Sequence, residues 1–402
     1  MEIKHDVSIF NDTSEINFPI NMYDPTRDYN SNKEEYDDAI QTVLNKGNFI
    51  NGNQVKELES SLADYVGVKD CICVGSGTDA LQIALMAIDV GHGDEVITVP
   101  FTWISTSEVI SLLGAKPVYV DIRSDTFAID ESLVEKAITP KTKAILPVSL
   151  YGFLPDYTLL NKIADKHGIP VIEDASQSFG SVQNGNKSCG LTTIGCTSFF
   201  PTKPLGCYGD GGALFTNNKE LGNKIRAIKN HGALKRFHHK YIGVNSRLDT
   251  IQASILKIKL KNFKECLTNR QNVAMRYNEA FYNVSNISIP ESVYNDCSVA
   301  GNHCCAWAQY SLILDKCVDR DSVVAKLKEH KIGVAIFYPN VLHQQECFKY
   351  LNYPDDAFKV ASNVSDHIIN LPCYGELKKD EQDYIIQCVI NIINKHSSEQ
   401  SF

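Results

Sequence analysis

TSFFPTKPLGCYGDGGALFT, residues 197–216, is the stretch on which the reading of this chain turns. A strand ends in a proline-flanked lysine, Lys203, and runs into a turn holding Gly206, Gly209, Gly211 and Gly212. A lysine mounted in this way cannot drift freely in solvent. A lysine beside a tight hairpin is also what an ordinary surface lysine looks like, so its neighbours decide its meaning.

Upstream, short apolar runs alternate with helix-like segments from about residue 70 to 216, the signature of a mainly parallel sheet covered by helices on both faces. VITVP (96–100), PVYVDI (117–122), KAILPVS (143–149), PVIED (170–174) and CTSFF (196–200) read as strands. Leu81, Leu85 and Ile88 recur at helical spacing, with similar periodicity around 104–113 and 156–167, the crossover helices. Residues 33–65 hold an amphipathic helix, a turn at 47–52 and a second helix. IQASILKIKLKNFKECL, beginning at Ile251, reads as one connecting helix. Beyond it, strands at 309–314 and 334–337 mix with helices at 321–330 and 380–394. The expected organisation is an N-terminal segment (1–32) whose first 20 residues read as irregular, a large α/β domain (33–263) and a smaller α+β domain (264–402).

Composition narrows the function. A chain of 402 residues, 43% hydrophobic, buries a sizeable core, and its net charge of −9 argues against a nucleic-acid-binding surface. No run approaches the roughly 20 apolar residues that span a bilayer. Thirteen cysteines include no pair with structural-zinc spacing, so no metal is expected. The odd count, and no secretory leader in MEIKHDVSIF, point to the reducing cytoplasm.

Three segments could give Lys203 a purpose. A Schiff-base lysine needs a rigid mount, a partly desolvated amine and a neutralised phosphate nearby. PVIEDASQSFG puts Asp174 at the end of a buried strand, where a carboxylate can pair with a protonated pyridine nitrogen, and Gln177 within reach of a ring hydroxyl. Asp174 also reads as a helix N-cap. VGSGTDALQIAL (74–85) is a strand, a small-residue turn and a helix start, an anion site for one phosphate rather than a dinucleotide. Thr78 and Ser198 could add hydroxyl donors, and simple capping by Ser76 or Thr78 remains open. Trp103 follows another strand end and could stack on a pyridine ring; such a residue is also often core.

In this order, GSGTDALQIAL, GDEVITVPFTWIST, AKPVYVDI, VIEDASQSFG, SFFPTKPLGCYGDGGA and GVNSRLDTIQASIL resemble the landmarks of the DegT/StrS-like sugar aminotransferases, a branch of the fold-type I pyridoxal-phosphate (PLP) enzymes. The resemblance runs from about residue 18 to the C-terminus. It implies a mainly parallel seven-stranded sheet between helices. It implies Lys203 as the Schiff-base lysine and proton shuttle, Asp174 on the pyridinium nitrogen, Gln177 near the ring hydroxyl, and Trp103 on the ring face. Gly77, Thr78, Asp79 and Ser198 would surround the phosphate, and Asn245 would reach the phosphate of a neighbouring subunit, which requires a homodimer. L-glutamate would donate the amino group through the pyridoxamine form (PMP) to a nucleotide-linked keto sugar. Lysine, where related dehydratases carry histidine, favours transamination.

On the substrate side, KNHGALKRFHHK (229–240) gathers Lys229, Lys235, Arg236 and Lys240 with three histidines, enough to meet a diphosphate, although it also reads as a solvated loop. His238, His239, Arg247, Tyr338 and His343 are the candidate sugar contacts. The chain departs from the family's His-Tyr-Pro, with Phe337-Tyr338-Pro339 in its place. The abundance of Asn, Lys and Ile is similar to that of giant-virus members making 4-amino sugars from UDP-4-keto-6-deoxyglucose, so the expected substrate is a UDP- or dTDP-4-keto-6-deoxy sugar. The alternatives are amination at C3, an idle PLP-fold regulator, and a nucleotide-binding oxidoreductase; the last lacks its dinucleotide fingerprint.

Overall fold

The computed structural model describes residues 16–289 and 303–399. Residues 1–15 of the expected N-terminal segment lie outside the described residues, and its last part is helical rather than irregular. Three helices lead in, α1 (Pro25–Ser31), α2 (Lys33–Lys46) and α3 (Asn53–Val66). The break expected at 47–52 begins where α2 stops at Gly47, whose φ of 67° is a left-handed cap that glycine adopts without strain.

The sheet region then follows as β1 (Asp70–Val74), α4 (Gly77–Ala87), β2 (Glu95–Thr98), α5 (Ser105–Leu112), β3 (Lys116–Tyr119), α6 (Glu131–Ala137), β4 (Thr142–Ile145), α7 (Tyr157–His167), β5 (Ile172–Asp174), β6 (Ile194–Ser198) and β7 (Gly212–Thr216). Strand β2 pairs in parallel with β3 and β4, and β5 with β6. Parallel bridges Ile145–Val171 and Val148–Asp174 join β4 to β5. Strand β7 runs antiparallel to both β6 and β1. The result is one seven-stranded sheet in the order β3-β2-β4-β5-β6-β7-β1, with β7 alone reversed, as the resemblance implies. Its middle strands are buried almost throughout, which fits a sheet with helices on both faces.

The single connecting helix expected after Asp249 is two. Helices α8 (Lys219–Ile228) and α9 (Thr250–Lys261) are followed by α10 (Phe263–Phe281), and Asn262 between the last two leaves helical geometry at φ −99°, ψ 4°. Beyond α10, β8 (Ile287–Ser288), β9 (Tyr310–Leu314) and β10 (Ile368–Leu371) form an antiparallel sheet packed with α11 (Arg320–Glu329), α12 (Lys359–His367) and α13 (Lys379–Glu399). The strand expected at 334–337 is one bridge, Ala335 to Asn370. The ladder stops there because the Phe337 N–H bonds to the Asn370 side chain at 2.9 Å and Pro339 follows.

The apolar core does not divide at residue 263. Ile97 and Tyr151 of the large sheet's side share one buried cluster with Leu312, Ile369 and Val389. The N-terminal segment is fastened to the far end of the chain, with Arg27 Nη2 2.6 Å from Glu381 Oε1 and Ile20 bridged to Ile332. No described helix is long and apolar enough to cross a membrane.

Candidate active site

The C-terminal ends of β1, β2, β5 and β6 lie along one sheet edge, because these strands run parallel there, and that edge collects the residues singled out above. Asp174 closes β5 and is buried. Thr106 Oγ1, from the first turn of α5, donates to its Oδ2 at 2.8 Å, and the Ser176 N–H donates to Oδ1 at 3.2 Å. Asp174 is thus aimed by donors and held by no cation in a salt bridge among the described residues.

Gln177, three residues on, is gripped at both ends. The Tyr151 N–H donates to its Oε1 at 2.9 Å, and its Nε2 donates to the Tyr338 hydroxyl at 3.1 Å. Tyr151 sits at φ 58°, a left-handed conformation uncommon for a non-glycine residue, and its hydroxyl donates to the Phe337 carbonyl. The C-terminal segment thereby reaches the sheet edge through Tyr338.

Lys203 follows β6 in the proline-flanked turn, its N–H bonded to the Phe200 carbonyl at 2.9 Å. Its amine has no hydrogen bond or ion pair among the described residues. Burial lowers the amine from its ordinary range to about 8, with the Asp174 carboxylate pulling the other way. A lysine near 8 supplies neutral amine at physiological pH, the form that attacks a carbonyl.

The start of α4 makes a cradle. Ser76 caps it, its Oγ accepting from the Asp79 N–H at 3.0 Å. A Cβ on Gly77 would lie 2.6 Å from Ser198 Cβ, and one on Gly212 would lie 2.4 Å from the Ser76 carbonyl oxygen, so the helix start is pressed against β6 and β7. The N–H groups of Gly77 and Thr78 find no partner among the described residues and are free for an anion. Ser198 Oγ accepts from the Phe200 N–H at 3.2 Å and keeps its own proton to donate. Thr78 differs from the sequence reading. Its Oγ1 is 2.8 Å from Ser105 Oγ, which itself donates to Glu108 at 3.0 Å, so in this arrangement the Thr78 proton goes to Ser105. Asp79 turns toward the 245–247 loop, accepting from Ser246 Oγ at 2.7 Å. These features fit one phosphate attached to a flat ring.

Trp103 is 58% exposed rather than core, its ring 6.1 Å from that of Tyr338, which leaves an aromatic face open at the same edge.

Other candidates lie elsewhere in the chain. His238 and His239 are exposed on a short hairpin, His239 bonding the His231 carbonyl at 2.8 Å. Asn245 is exposed and bridged through its backbone to Asn230. Arg247 lines a separate cavity of about 210 Å³ with Asn51, Lys56 and Lys229. His343 is 4% exposed; its Nε2 faces the Asp355 carbonyl at 3.1 Å and its ring packs on Phe358 at 4.9 Å. None of these is bonded to Lys203, Asp174 or Gln177 within one chain. Sequence reasoning missed Thr106, Tyr151 and Ser246. Thr106 alone left a signal, as a hydroxyl in the first helical turn after a strand whose end faces the same edge.

A sheet of this order carrying a lysine with a depressed amine, an aimed carboxylate and a glycine-walled anion cradle defines a PLP-type transferase. The model of the DegT/DnrJ/EryC1/StrS aminotransferase family matches residues 30–390, and the chain belongs to that family. It is 53% identical over 347 residues to UDP-2-acetamido-2-deoxy-3-oxo-D-glucuronate aminotransferase of Pseudomonas aeruginosa, covering 86% of this chain and 92% of that one. It is 37% identical to UDP-N-acetyl-3-dehydro-alpha-D-glucosamine 3-aminotransferase of Acidithiobacillus ferrooxidans, covering 91% and 95%. Among solved structures, NtdA of Bacillus subtilis, with bound cofactor PMP, superposes with a TM-score of 0.84 at 29% identity, covering 98% of this chain and 90% of that one.

Proposed function

We propose that this aminotransferase uses PLP to aminate C3 of a UDP-linked 3-keto sugar bearing a 2-acetamido group, with L-glutamate as donor. The observation that carries the chemistry is the half-buried amine of Lys203, which has no hydrogen bond or ion pair among the described residues and feels the Asp174 carboxylate. Bound PLP supplies an electron sink that stabilises a carbanion next to the migrating nitrogen. Asp174, fixed by Thr106, keeps a protonated ring nitrogen paired. The Gly77 and Thr78 N–H groups, with Ser198, hold the phosphate, and Trp103 covers a ring face. Asp79, through Ser246, anchors the cradle to the 245–247 loop. Gln177 borders the ring hydroxyl and passes its orientation to Tyr338. Lys203, as neutral amine, would be the group that takes up and returns at its Nζ the proton moved during the transfer.

The reading extends to a homodimer. Asn245, His238, His239 and Arg247 stand apart from Lys203 in their own chain, and a second copy would use them on its phosphate and on the substrate diphosphate. His343 has no part in it, because its ring is engaged in the core. The site is read as working in the cytoplasm, which suits twelve free cysteines among the described residues.

The choice of C3 follows the 53% and 37% identical relatives, whose names specify 3-oxo and 3-dehydro UDP sugars. It displaces the 4-keto-6-deoxy expectation, which rested on composition. A panel of 3-keto and 4-keto nucleotide sugars, each incubated with glutamate, decides by NMR of the product. Amine at C3 is expected; amine at C4 restores the earlier expectation, and turnover of simple keto acids alone removes the sugar reading.

A further inference from the structure

We propose that Glu173 is a positioning residue that fastens β5 and the turn after it from behind, setting the aim of both Asp174 and Gln177. The inference rests on the roles just proposed for those two residues.

Glu173 and Asp174 are consecutive on a strand, so their side chains leave opposite faces. Glu173 is fully buried and forms no salt bridge among the described residues, yet its carboxylate is saturated with donors. Ser188 Oγ donates to Oε1 at 2.6 Å, Ser149 Oγ lies 3.3 Å from the same oxygen, and the Cys189 N–H donates to Oε2 at 2.8 Å. A carboxylate accepting several donors resists reorientation more than any one bond implies.

Two of these donors lead to the active site. The Ser149 main-chain N–H donates to the Asp174 carbonyl at 3.0 Å, so one serine holds both Glu173 and Asp174. Two residues on, the Tyr151 N–H holds Gln177 Oε1. Ser188 Oγ is 2.7 Å from Ser178 Oγ, the neighbour of Gln177. Tyr157 OH lies 2.8 Å from Ser149 Oγ and, by donating there, frees the Ser149 proton for Glu173. Burial pushes the Glu173 carboxyl up to about 7, and its three donors pull it back. A leucine in its place would leave Ser149, Ser188 and Cys189 with donors facing nothing, which is the cost of removing one partner from a buried network.

The test uses Glu173→Gln and, in parallel, Ser188→Ala, which leaves the carboxyl in place. The readouts are the dissociation constant of PLP from a fluorescence titration of cofactor-stripped protein, the position of the bound cofactor's absorption band, and kcat and KM separately. For Glu173→Gln the expected result is about tenfold weaker PLP binding, a displaced band, and a kcat that falls more than KM rises. Ser188→Ala is expected to act in the same direction and less strongly. A Glu173→Gln protein that is merely less heat-stable, with wild-type affinity and band, overturns the proposal. If that variant does not fold, a Ser188→Ala protein indistinguishable from wild type overturns it too. Asp174→Asn in the same assays separates the two layers. If it leaves affinity and band untouched, the reading of the site fails; if it perturbs them while Glu173→Gln is silent, the positioning role alone fails.

Discussion

Thr106 Oγ1 donates to Asp174 Oδ2 across 2.8 Å, from the first turn of α5 to the end of β5, and both residues are buried. It is the side-chain bond that fixes Asp174. Thr106→Val keeps the shape and removes the donor, so the carboxylate can rotate or take up a proton. Stability is expected to fall by about 1–2 kcal/mol and kcat by roughly tenfold, with KM little changed. Thermal unfolding and steady-state kinetics measure the two separately.

Lys203→Ala should be colourless after reconstitution and should yield no cofactor-bearing peptide after borohydride, where wild type yields one at residue 203. Its turnover is expected to fall by about a thousandfold or more. A colourless Lys203→Ala protein that still transaminates would sink the assignment of Lys203.

The depressed lysine has a pH signature. Its folded-state value of about 8 lies below the ordinary lysine value of 10.5, so between those limits the unfolded chain binds more protons than the folded one. Stability of the cofactor-free protein should therefore rise with pH through that window, the penalty being fully present below pH 8. Lys203→Met is expected to be more stable than wild type by about 1–3 kcal/mol near pH 7, with the advantage gone near pH 10.5. Denaturant melts of the two proteins across that range check the sign. The rate at which the apoprotein captures PLP should climb with a midpoint near pH 8.

Gly77→Ala drives a methyl to 2.6 Å from Ser198 Cβ, forcing α4 off β6 where the free N–H groups point. PLP affinity should drop by about tenfold, and Ser198→Gly added to Gly77→Ala should recover part of it by removing the colliding atom. Titration of inorganic phosphate against the same set gives the anion contribution alone.

How far the sequence could be read follows from the range of the interactions involved. Lys203, Asp174 and the Gly77 turn were legible because each sits in a local pattern, a strand end followed by turn chemistry. The alternation of strands and helices was legible for the same reason. The break at Asn262 was not, since asparagine is tolerated within helices and apolar spacing continues through it. The strand at 334–337 was lost to a side chain, Asn370, that lies beyond the reach of any window. Trp103 reads in the sequence both as a ring-stacking residue at the sheet edge and as core, and only tertiary placement leaves its face open. The sequence offers the Thr78 hydroxyl as a possible phosphate donor, and no window shows that Ser105, 27 residues away, lies 2.8 Å from it. His343 looked polar and available, whereas an aromatic enclosure and the Asp355 carbonyl occupy it.

The reversed strand β7 carries one more consequence. Within the sheet β1 borders β7 and no other strand, with Asp70 opposite Thr216. The wall of the cradle facing Gly77 comes from Ser198, so half of the phosphate seat is translated long before the other half. A nascent chain emerging from the ribosome holds β1 as an unmatched apolar ribbon until residue 216 is clear of the exit tunnel, and such unpaired strands invite wrong partners. Slow, late closure of this long-range pairing is the expected bottleneck in making the enzyme. Expression yield should thus respond more to substitutions in β1 and β7 than to equally buried ones in β2 and β3, whose parallel partners lie close by in the chain.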